Sequence, residues 1–235
     1  LHLATNEDSE KRLIRLGEEK KRLINVGFPP LSKVDKKKLY SKNEIKKILK
    51  FDFNNELNIL TYHPVPSEVQ SQNEIFKAVK KLSKKGHKFI ITYPNFDPGY
   101  QNIIKQITRL DKNKNILVIK NLGQKLYFSI LNFIGKNNGL CIGNSSSGIK
   151  ETMFFNCKVV NLGIRQKSRL KSANVYSCKL NQKKILELFK KTIAKKISYL
   201  NKKNPYFFQK KIKNIDIKIY QKLLKLKSQI KKITF

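Results

Sequence analysis

The sequence predicts an α/β fold: a Rossmann-like parallel sheet with helices on both faces. Two observations indicate this fold class. From residue 57 to about residue 180, five short apolar runs alternate with amphipathic stretches of helical period. The apolar runs are nearly continuous rather than alternating with polar residues, which is typical of strands buried on both faces of a parallel sheet.

The first fifty residues predict a strand, a helix, a second strand and a lysine-rich linker to a further helix. The strand LHLAT precedes a helix whose predicted cap is Thr5, with Asp8 three residues later. The second strand, RLINVG, ends at Gly27 and two turn-forming prolines. Ser41 and Glu44 have the spacing of a capping box, which predicts the start of the helix NEIKKILKF.

Five strand–helix units follow. Their helices carry apolar residues three or four positions apart, as Ile75, Val79 and Leu82 do. After residue 180 the pattern is helical only. The predicted pairs are LNILTYH with SEVQSQNEIFKAVKKLSKKG, KFIITY with PGYQNIIKQITRL, NILVIK with QKLYFSILNFI, GLCIGN with SGIKETMFF, and KVVNLG with NQKKILELFKKTIAKKISYL.

The charge balance is extreme, but it does not by itself indicate a nucleic-acid partner. The 235 residues include 51 basic and 16 acidic side chains, for a formal net charge of +35. Only six basic residues are arginine, whereas specific recognition of phosphates and bases favours the bidentate arginine fork. We therefore do not expect nucleic acid as a partner, although a basic nucleic-acid-binding α/β protein stays an alternative.

Cysteine spacing and hydropathy limit the kinds of site and the cellular location that the sequence can support. The three cysteines lack the CxxC spacing of a metal site or redox motif, and we interpret them as apolar core residues in a reducing compartment. No apolar run approaches the length of a membrane span, and no signal peptide is recognisable. We expect a cytoplasmic protein without a bound metal and without membrane contact.

Polar clusters follow the predicted strands at the edge of the sheet where parallel α/β proteins bind ligands. Their convergence indicates a site more strongly than any one cluster does. The clusters are Tyr62-His63-Pro64, Tyr93-Pro94-Asn95, Asn121-Leu122-Gly123, the serine turn GNSSSG at 143–148, and Gly163-Ile164-Arg165.

The serine turn is the sharpest of these signals. Its backbone N–H groups and the hydroxyls of Ser145, Ser146 and Ser147 suit phosphate oxygens, and Gly148 permits a close approach. Glu151 follows within one helical turn and suits the hydroxyls of a sugar diol. An ordinary capped helix is the alternative explanation, because serine and asparagine are favoured caps.

Two further side chains at strand ends are candidates. The sequence leaves three roles open for His63. They are a catalytic group, a contact to a diphosphate, and a core histidine whose hydrogen bonds are made within the protein. Arg165 is a rare arginine in a lysine-rich chain, which favours a need for its guanidinium group. His2 and His87 are expected to be structural.

Five stretches stand in one colinear order at these strand ends: TYHPV, TYPNFDPG, IKNLGQKLYFSIL, IGNSSSGIKE and NLGIRQKSRLKSANV. Together they resemble the hydrolysing UDP-N-acetylglucosamine 2-epimerases of sialic and related nonulosonic acid biosynthesis, over about residues 2–206. The resemblance implies two Rossmann-like domains of the glycosyltransferase-B kind with the substrate in the cleft between them. This chain would be the second half of such an enzyme.

The resemblance also implies roles for individual residues. Ser145 and Ser146 would hold the UDP diphosphate, and Glu151 the ribose hydroxyls. The backbone around Leu122 would contact the uracil edge, and His63 would stand at the diphosphate and the reacting sugar. The remaining members of the implied UDP pocket are Ser147, Gly148, Asn95 and Arg165.

The implied reaction is anti-elimination of UDP to a 2-acetamidoglucal, followed by addition of water with inversion at C2. It releases N-acetylmannosamine and UDP and requires no metal or redox cofactor. The sequence leaves open whether the sugar is N-acetylglucosamine or a 2,4-diacetamido analogue. A non-hydrolysing epimerase or a related glycosyltransferase half is the alternative within the same fold.

Domain organisation is predicted from the same resemblance. A chain that opens at Leu1 inside a strand-like run is expected to lack a first domain of about 150 residues. Residues 1–50 would be a remnant of the connection to it, 51–180 the UDP-binding domain, and 181–235 helices that pack on this domain or reach the first one. The segments GKNNG and NPYFFQKK depart from the family pattern. We expect a homo-oligomer for the full-length protein.

Overall fold

The computed structural model describes residues 1–196, 204–207 and 215–230. The chain forms two compact units, Leu1–Val34 with Asn204–Phe235 and Asp35–Lys203. The domain limits predicted at residues 50 and 180 stay predictions. Parts of the predicted C-terminal helices lie outside the described residues, at 197–203, 208–214 and 231–235.

The smaller unit contains a two-stranded parallel sheet, so both strands predicted there are confirmed. The predicted helix cap is wrong by one residue. Asn6, not Thr5, is extended and accepts a hydrogen bond from the Ser9 N–H at 2.8 Å, because its side chain reaches the third amide of the helix. The elements of this unit are β1 His2–Ala4, α1 Glu7–Arg15, β2 Leu23–Asn25, α2 Pro29–Ser32 and the helix Ile215–Ile230.

The larger unit is built on a six-stranded parallel sheet. Its strands are β3 Asn58–Thr61, β4 Phe89–Thr92, β5 Ile116–Ile119, β6 Cys141–Gly143, β7 Val159–Leu162 and β8 Val175–Cys178. They lie in the order β5-β4-β3-β6-β7-β8, with every neighbouring pair parallel. Counted along this unit the order is third, second, first, fourth, fifth, sixth, which is the doubly wound Rossmann arrangement. The predicted fold class is confirmed.

One strand of this sheet, β8, is not predicted from the sequence. β8 is an edge strand whose residues are exposed or half-exposed, and Ser177 interrupts its apolar character. It therefore lacks the continuous apolar run by which the other five strands are recognised. The pairing of Val159–Leu162 with β8 extends the sheet beyond the predicted edge.

Helices cover both faces of the sheet. On one face, buried residues of three helices pack with Leu60, Ile91 and Val160 of the strands. The adjacent strand residues Ile59 and Ile90 are just as buried, and successive side chains of a strand point to opposite faces, so the other face is covered as well. The helices of this unit are α3 Lys42–Leu49, α4 Asn73–Lys84, α5 Tyr100–Leu110, α6 Gly123–Lys136, α7 Ser147–Lys150 and α8 Gln182–Ile193.

Two local predictions have different outcomes. The capping box that opens α3 is confirmed, since Glu44 Oε2 accepts from the Ser41 N–H at 2.7 Å. The single helix predicted over SGIKETMFF is wrong, because α7 is one turn long and a 3-10 helix, Thr152–Phe155, follows it. Thr152 Oγ1 donates to the Gly148 carbonyl at 2.7 Å and so occupies the acceptor that a continuing α-helix would use.

None of the helices in the described ranges combines the length and the apolar character needed to cross a bilayer. The same residues hold no group of three or more histidine, cysteine and carboxylate side chains placed to bind a metal ion.

Candidate functional site

The site lies where the chain reverses its direction of travel across the sheet. β3 and β6 are neighbours, and their ends are in register at Thr61 and Gly143. From β3 the chain goes to β4 on one side, and from β6 it goes to β7 on the other. The loops after these two strands therefore diverge and leave a crevice, which is where doubly wound proteins bind ligands.

A glycine brings the two strand ends into contact. Gly143 has φ of +124°, a conformation that favours glycine, and a Cβ there would lie 1.9 Å from the Thr61 carbonyl oxygen. No other residue fits without moving the backbone. The serine turn consequently begins directly beside the end of β3.

Asn144 ties three of the loops together. It is fully buried, its Oδ1 accepts from the His63 N–H at 2.7 Å, and its Nδ2 donates to the His63 carbonyl at 2.8 Å. Its own carbonyl accepts from Gln166 Nε2 at 2.8 Å and from Arg165 Nη1 at 3.3 Å. The loops after β3, β6 and β7 are thus joined at one buried residue, through its side-chain amide and its backbone carbonyl.

Neither Asn144 nor Gln166 is among the site residues predicted from sequence. Both are polar residues next to predicted ones, and both are almost fully buried, at 0% and 1% exposure. The available signal is an amide directly after a buried strand, where the backbone groups of an adjoining loop need partners. Its partners cannot be identified before the strand order is known.

His63 is held as a neutral imidazole. Only 6% of it is exposed, and its Nδ1 accepts the N–H of Asn95 at 3.1 Å. Burial lowers its pKa to about 4, the Arg165 cation acts in the same direction, and Asp97 opposes both. With Nδ1 accepting, the proton of the neutral ring sits on Nε2, which makes His63 a hydrogen-bond donor.

The serine turn presents backbone donors rather than a side-chain cap. Within the described part of the chain, the N–H groups of Ser145 and Ser146 have no hydrogen-bond partner, and the Ser147 N–H has a long bond to Ser145 Oγ at 3.4 Å. The hydroxyl of Ser146, the residue at the cap position of α7, makes no capping bond. This geometry favours anion binding over the ordinary capped helix.

Glu151, at the end of α7, is tied to the same turn. Ser147 Oγ donates to Glu151 Oε2 at 2.7 Å, and the hydroxyl of Tyr127 is hydrogen-bonded to Ser147 Oγ. Burial raises the pKa of Glu151, while the Ser147 bond and the Lys150 cation oppose that rise.

Comparison with known proteins identifies the family. The family model described as UDP-N-acetylglucosamine 2-epimerase matches residues 1–217. A Campylobacter jejuni protein, GDP/UDP-N,N'-diacetylbacillosamine 2-epimerase (hydrolyzing), is 35% identical over 186 residues, which are 77% of this chain and 47% of that protein. A Legionella pneumophila UDP-N,N'-diacetylbacillosamine 2-epimerase (hydrolyzing) is 33% identical over 202 residues, 85% of this chain and 52% of that protein. The chain belongs to the UDP-N-acetylglucosamine 2-epimerase family.

Solved structures of the family have the same fold. The UDP-GlcNAc 2-epimerase from Neisseria meningitidis bound to UDP-GlcNAc matches with a TM-score of 0.60 and 21% identity, over 95% of this chain and 60% of that one. The Methanocaldococcus jannaschii enzyme in complex with UDP-GlcNAc and UDP matches with a TM-score of 0.63 and 17% identity, over 93% and 60%. The chain spans about half the length of the curated relatives it matches.

The serine turn and the loops around it bring several of the predicted residues together. His63, Asn95 and Arg165 are joined directly or through Asn144. Arg165 Nη2 also lies 3.9 Å from Asp97 Oδ2, at a partly exposed position. Leu122 stands apart from this network: it precedes α6 at the end of β5, two strands away from β3.

Proposed function

We propose that this chain is the UDP-binding part of a hydrolysing UDP-N-acetylglucosamine 2-epimerase. The observation that carries the proposal is the serine turn at the crevice between β3 and β6. There, two N–H groups without a partner in the described part of the chain lie on a loop tied to His63 and Arg165. Such a set of donors and positive charge suits a diphosphate.

In this proposal the diphosphate binds to backbone and side-chain donors of three loops. The N–H groups and hydroxyls of Ser145 and Ser146 contact one phosphate. Gly148 is buried behind them, where a Cβ would lie 3.4 Å from Val159 Cγ1, so it allows the turn to pack closely on the sheet. The Arg165 guanidinium supplies the cation. His63 contributes a neutral Nε2–H donor, so it stabilises the negative charge that develops on the leaving UDP without being an acid at neutral pH.

The nucleoside contacts lie on either side of the diphosphate. Glu151 accepts hydrogen bonds from the ribose hydroxyls, and the backbone near Leu122 contacts the uracil edge. Asn95 closes the pocket above His63, to which its N–H is already bonded. Ser147 is the remaining member, and its hydroxyl donates to Glu151.

The proposed reaction needs no external oxidant or reductant. A base removes the proton at C2 of the sugar while the bond between C1 and the UDP oxygen breaks, which gives UDP and a 2-acetamidoglucal. Water then adds across the double bond with inversion at C2. Residues that remove and return the C2 proton would come from the part of the enzyme that this chain does not include.

The hydrolysing outcome is supported by the names of two relatives above 30% identity. Both names also specify an N,N'-diacetylbacillosamine substrate, so a 2,4-diacetamido sugar stands beside N-acetylglucosamine as a candidate substrate for this chain. The alternative is a non-hydrolysing epimerase, and a Neisseria meningitidis relative with 29% identity is named simply UDP-N-acetylglucosamine 2-epimerase. Free UDP released together with the epimerised sugar by the full-length enzyme would decide for the hydrolysing reaction.

Calorimetric titration of the 235-residue chain with UDP, UMP and uridine tests the nucleotide site. We expect affinity to fall from UDP to UMP to uridine, because each step removes a phosphate from the serine turn. Equal affinity for all three, or no binding of UDP, would contradict the proposal.

We also expect the chain alone not to release sugar from UDP-N-acetylglucosamine, because one wall of a cleft cannot align the substrate or exclude water. A coupled assay for free UDP checks this. Steady turnover by the purified 235-residue chain would contradict it.

A further inference from the structure

Three side chains form a hydrogen-bonded chain that ends on the proposed ribose contact. Tyr127 lies on α6, Ser147 is the first residue of α7, and Glu151 follows α7. The Tyr127 hydroxyl is bonded to Ser147 Oγ, and Ser147 Oγ is bonded to Glu151 Oε2 at 2.7 Å. Residues from two separate elements are therefore coupled through one hydroxyl.

The direction of the two bonds follows from proton counting. An ionised carboxylate only accepts, so Ser147 gives its single proton to Glu151. Tyr127 must then donate to Ser147 Oγ. In this arrangement the Ser147 hydroxyl has no proton left for a phosphate oxygen, in contrast to the hydroxyls of Ser145 and Ser146.

We propose that Tyr127 is a positioning residue that, through Ser147, orients the Glu151 carboxylate for the ribose hydroxyls of UDP. The inference rests on the proposed function and assigns different roles to the three serines of the turn. Ser145 and Ser146 serve the diphosphate, and Ser147 serves the carboxylate. Glu151 Oε1 is left to accept from the ligand.

The electrostatic surroundings support this role. Tyr127 from α6 and Cys141 from β6 face Glu151, and burial raises the pKa of both well above neutrality, so both are uncharged near neutral pH. Lys150 is the neighbouring cation, and Arg169 acts on Lys150 in turn. Burial alone would favour a protonated Glu151, and the donor from Ser147 favours the carboxylate.

The two hydrogen bonds from Tyr127 through Ser147 to Glu151 are called the relay. The pKa of Glu151 in the free chain tests this relay without any ligand. Carbon-detected NMR of glutamate-labelled protein gives this value, with the Glu151 signal identified by its absence in Glu151→Gln. We expect Ser147→Ala to raise the pKa by about one unit, the equivalent of one lost hydrogen bond to a charged group. Tyr127→Phe should raise it by a few tenths of a unit, because it only weakens the Ser147 donor.

Two variants serve as controls. Tyr62→Phe removes another buried phenol hydroxyl, one that has no hydrogen-bond partner within the described residues, and should leave the Glu151 pKa unchanged. Ser147→Thr keeps the hydroxyl and should restore the wild-type value. An unchanged pKa in Tyr127→Phe would overturn the role of Tyr127, and an unchanged pKa in Ser147→Ala would overturn the whole relay.

UDP affinity then separates this inference from the proposed function. At a pH near the wild-type Glu151 pKa measured by NMR, we expect Ser147→Ala to bind UDP several-fold more weakly than wild type and Tyr127→Phe about twofold more weakly. UDP's own phosphate titration is common to all variants and cancels in the ratio. If Glu151→Gln binds UDP as wild type does, the proposed ribose site is wrong. If Glu151→Gln weakens binding but both relay variants match wild type, only the relay is wrong.

Discussion

His63 and Glu151 both belong to the proposed UDP site, and burial favours the neutral form of each. It lowers the pKa of the imidazole and raises the pKa of the carboxyl group, in each case favouring the neutral form. Their hydrogen-bond partners differ. His63 accepts an N–H on Nδ1, which only an uncharged ring can do, whereas Glu151 accepts a hydroxyl proton on a carboxylate oxygen.

The difference shows that burial alone does not determine the charge of a site residue. At His63 the neighbouring Arg165 cation adds to burial, and the result is a neutral donor. At Glu151 the Ser147 donor and the Lys150 cation work against burial and favour an acceptor. In the proposed site one region suits a phosphate oxygen and the other suits ribose hydroxyls, because different hydrogen-bond donors and cations surround the two groups.

The largest expected effect comes from removing the amide that holds the His63 region. Asn144→Leu leaves the buried N–H and carbonyl of His63 without partners, and we expect a loss of about 3 kcal/mol in the free energy of unfolding. Urea denaturation measures it. Asn54→Leu, at an exposed asparagine, is the matched control and should change stability by less than about 0.5 kcal/mol. Equal stability of the two variants would show that Asn144 is not the link between the loops.

Removing the carboxylate should affect the ligand and not the fold. In the 235-residue chain, Glu151→Ala should cost about 1.5–3 kcal/mol of UDP affinity, because it deletes a charge-assisted hydrogen bond. Calorimetric titration measures the loss, and circular dichroism checks the fold. Glu187→Ala, at an exposed glutamate on α8, should bind UDP like wild type. Unchanged affinity in a folded Glu151→Ala chain would favour the alternative explanation, in which the serine turn only caps a helix.

The pH dependence of stability isolates the His63 region. Its folded pKa of about 4 lies below the ordinary value of 6.5, so the unfolded chain binds the proton more tightly. The resulting stabilisation is complete above pH 6.5 and is lost as pH falls towards 4. Between pH 7 and pH 5 we expect about 2 kcal/mol of this loss in wild type and none of it in His63→Leu. NMR titration of the His63 ring near pH 6.5 would contradict the prediction.

More of the fold than of the candidate site can be predicted from the sequence. Five of the six strands of the larger sheet are evident as continuous apolar runs, whereas β8 is not, because an edge strand can be polar. Strand ends also indicate the edge of the sheet where doubly wound folds bind ligands. What the sequence does not reveal is which polar groups bond to each other: the bonds of Asn144 to His63 and of Tyr127 to Ser147 join residues 81 and 20 positions apart. Such partnerships depend on strand order and helix packing, which no local pattern encodes.

The smallest expected effect concerns the backbone between the two regions. If the N–H groups and hydroxyls of Ser145 and Ser146 hold the diphosphate, Ser146→Ala should weaken UDP binding only about twofold, because it removes one hydroxyl donor but retains the N–H and the space. Ser146→Val should weaken binding by about 1 kcal/mol, since it crowds the phosphate as well as removing the hydroxyl. Calorimetry on both variants separates the contributions. Equal losses in the alanine and valine variants would assign the phosphate contact to the hydroxyl instead of the backbone, and the serine turn would then recognise its anion by side chain alone.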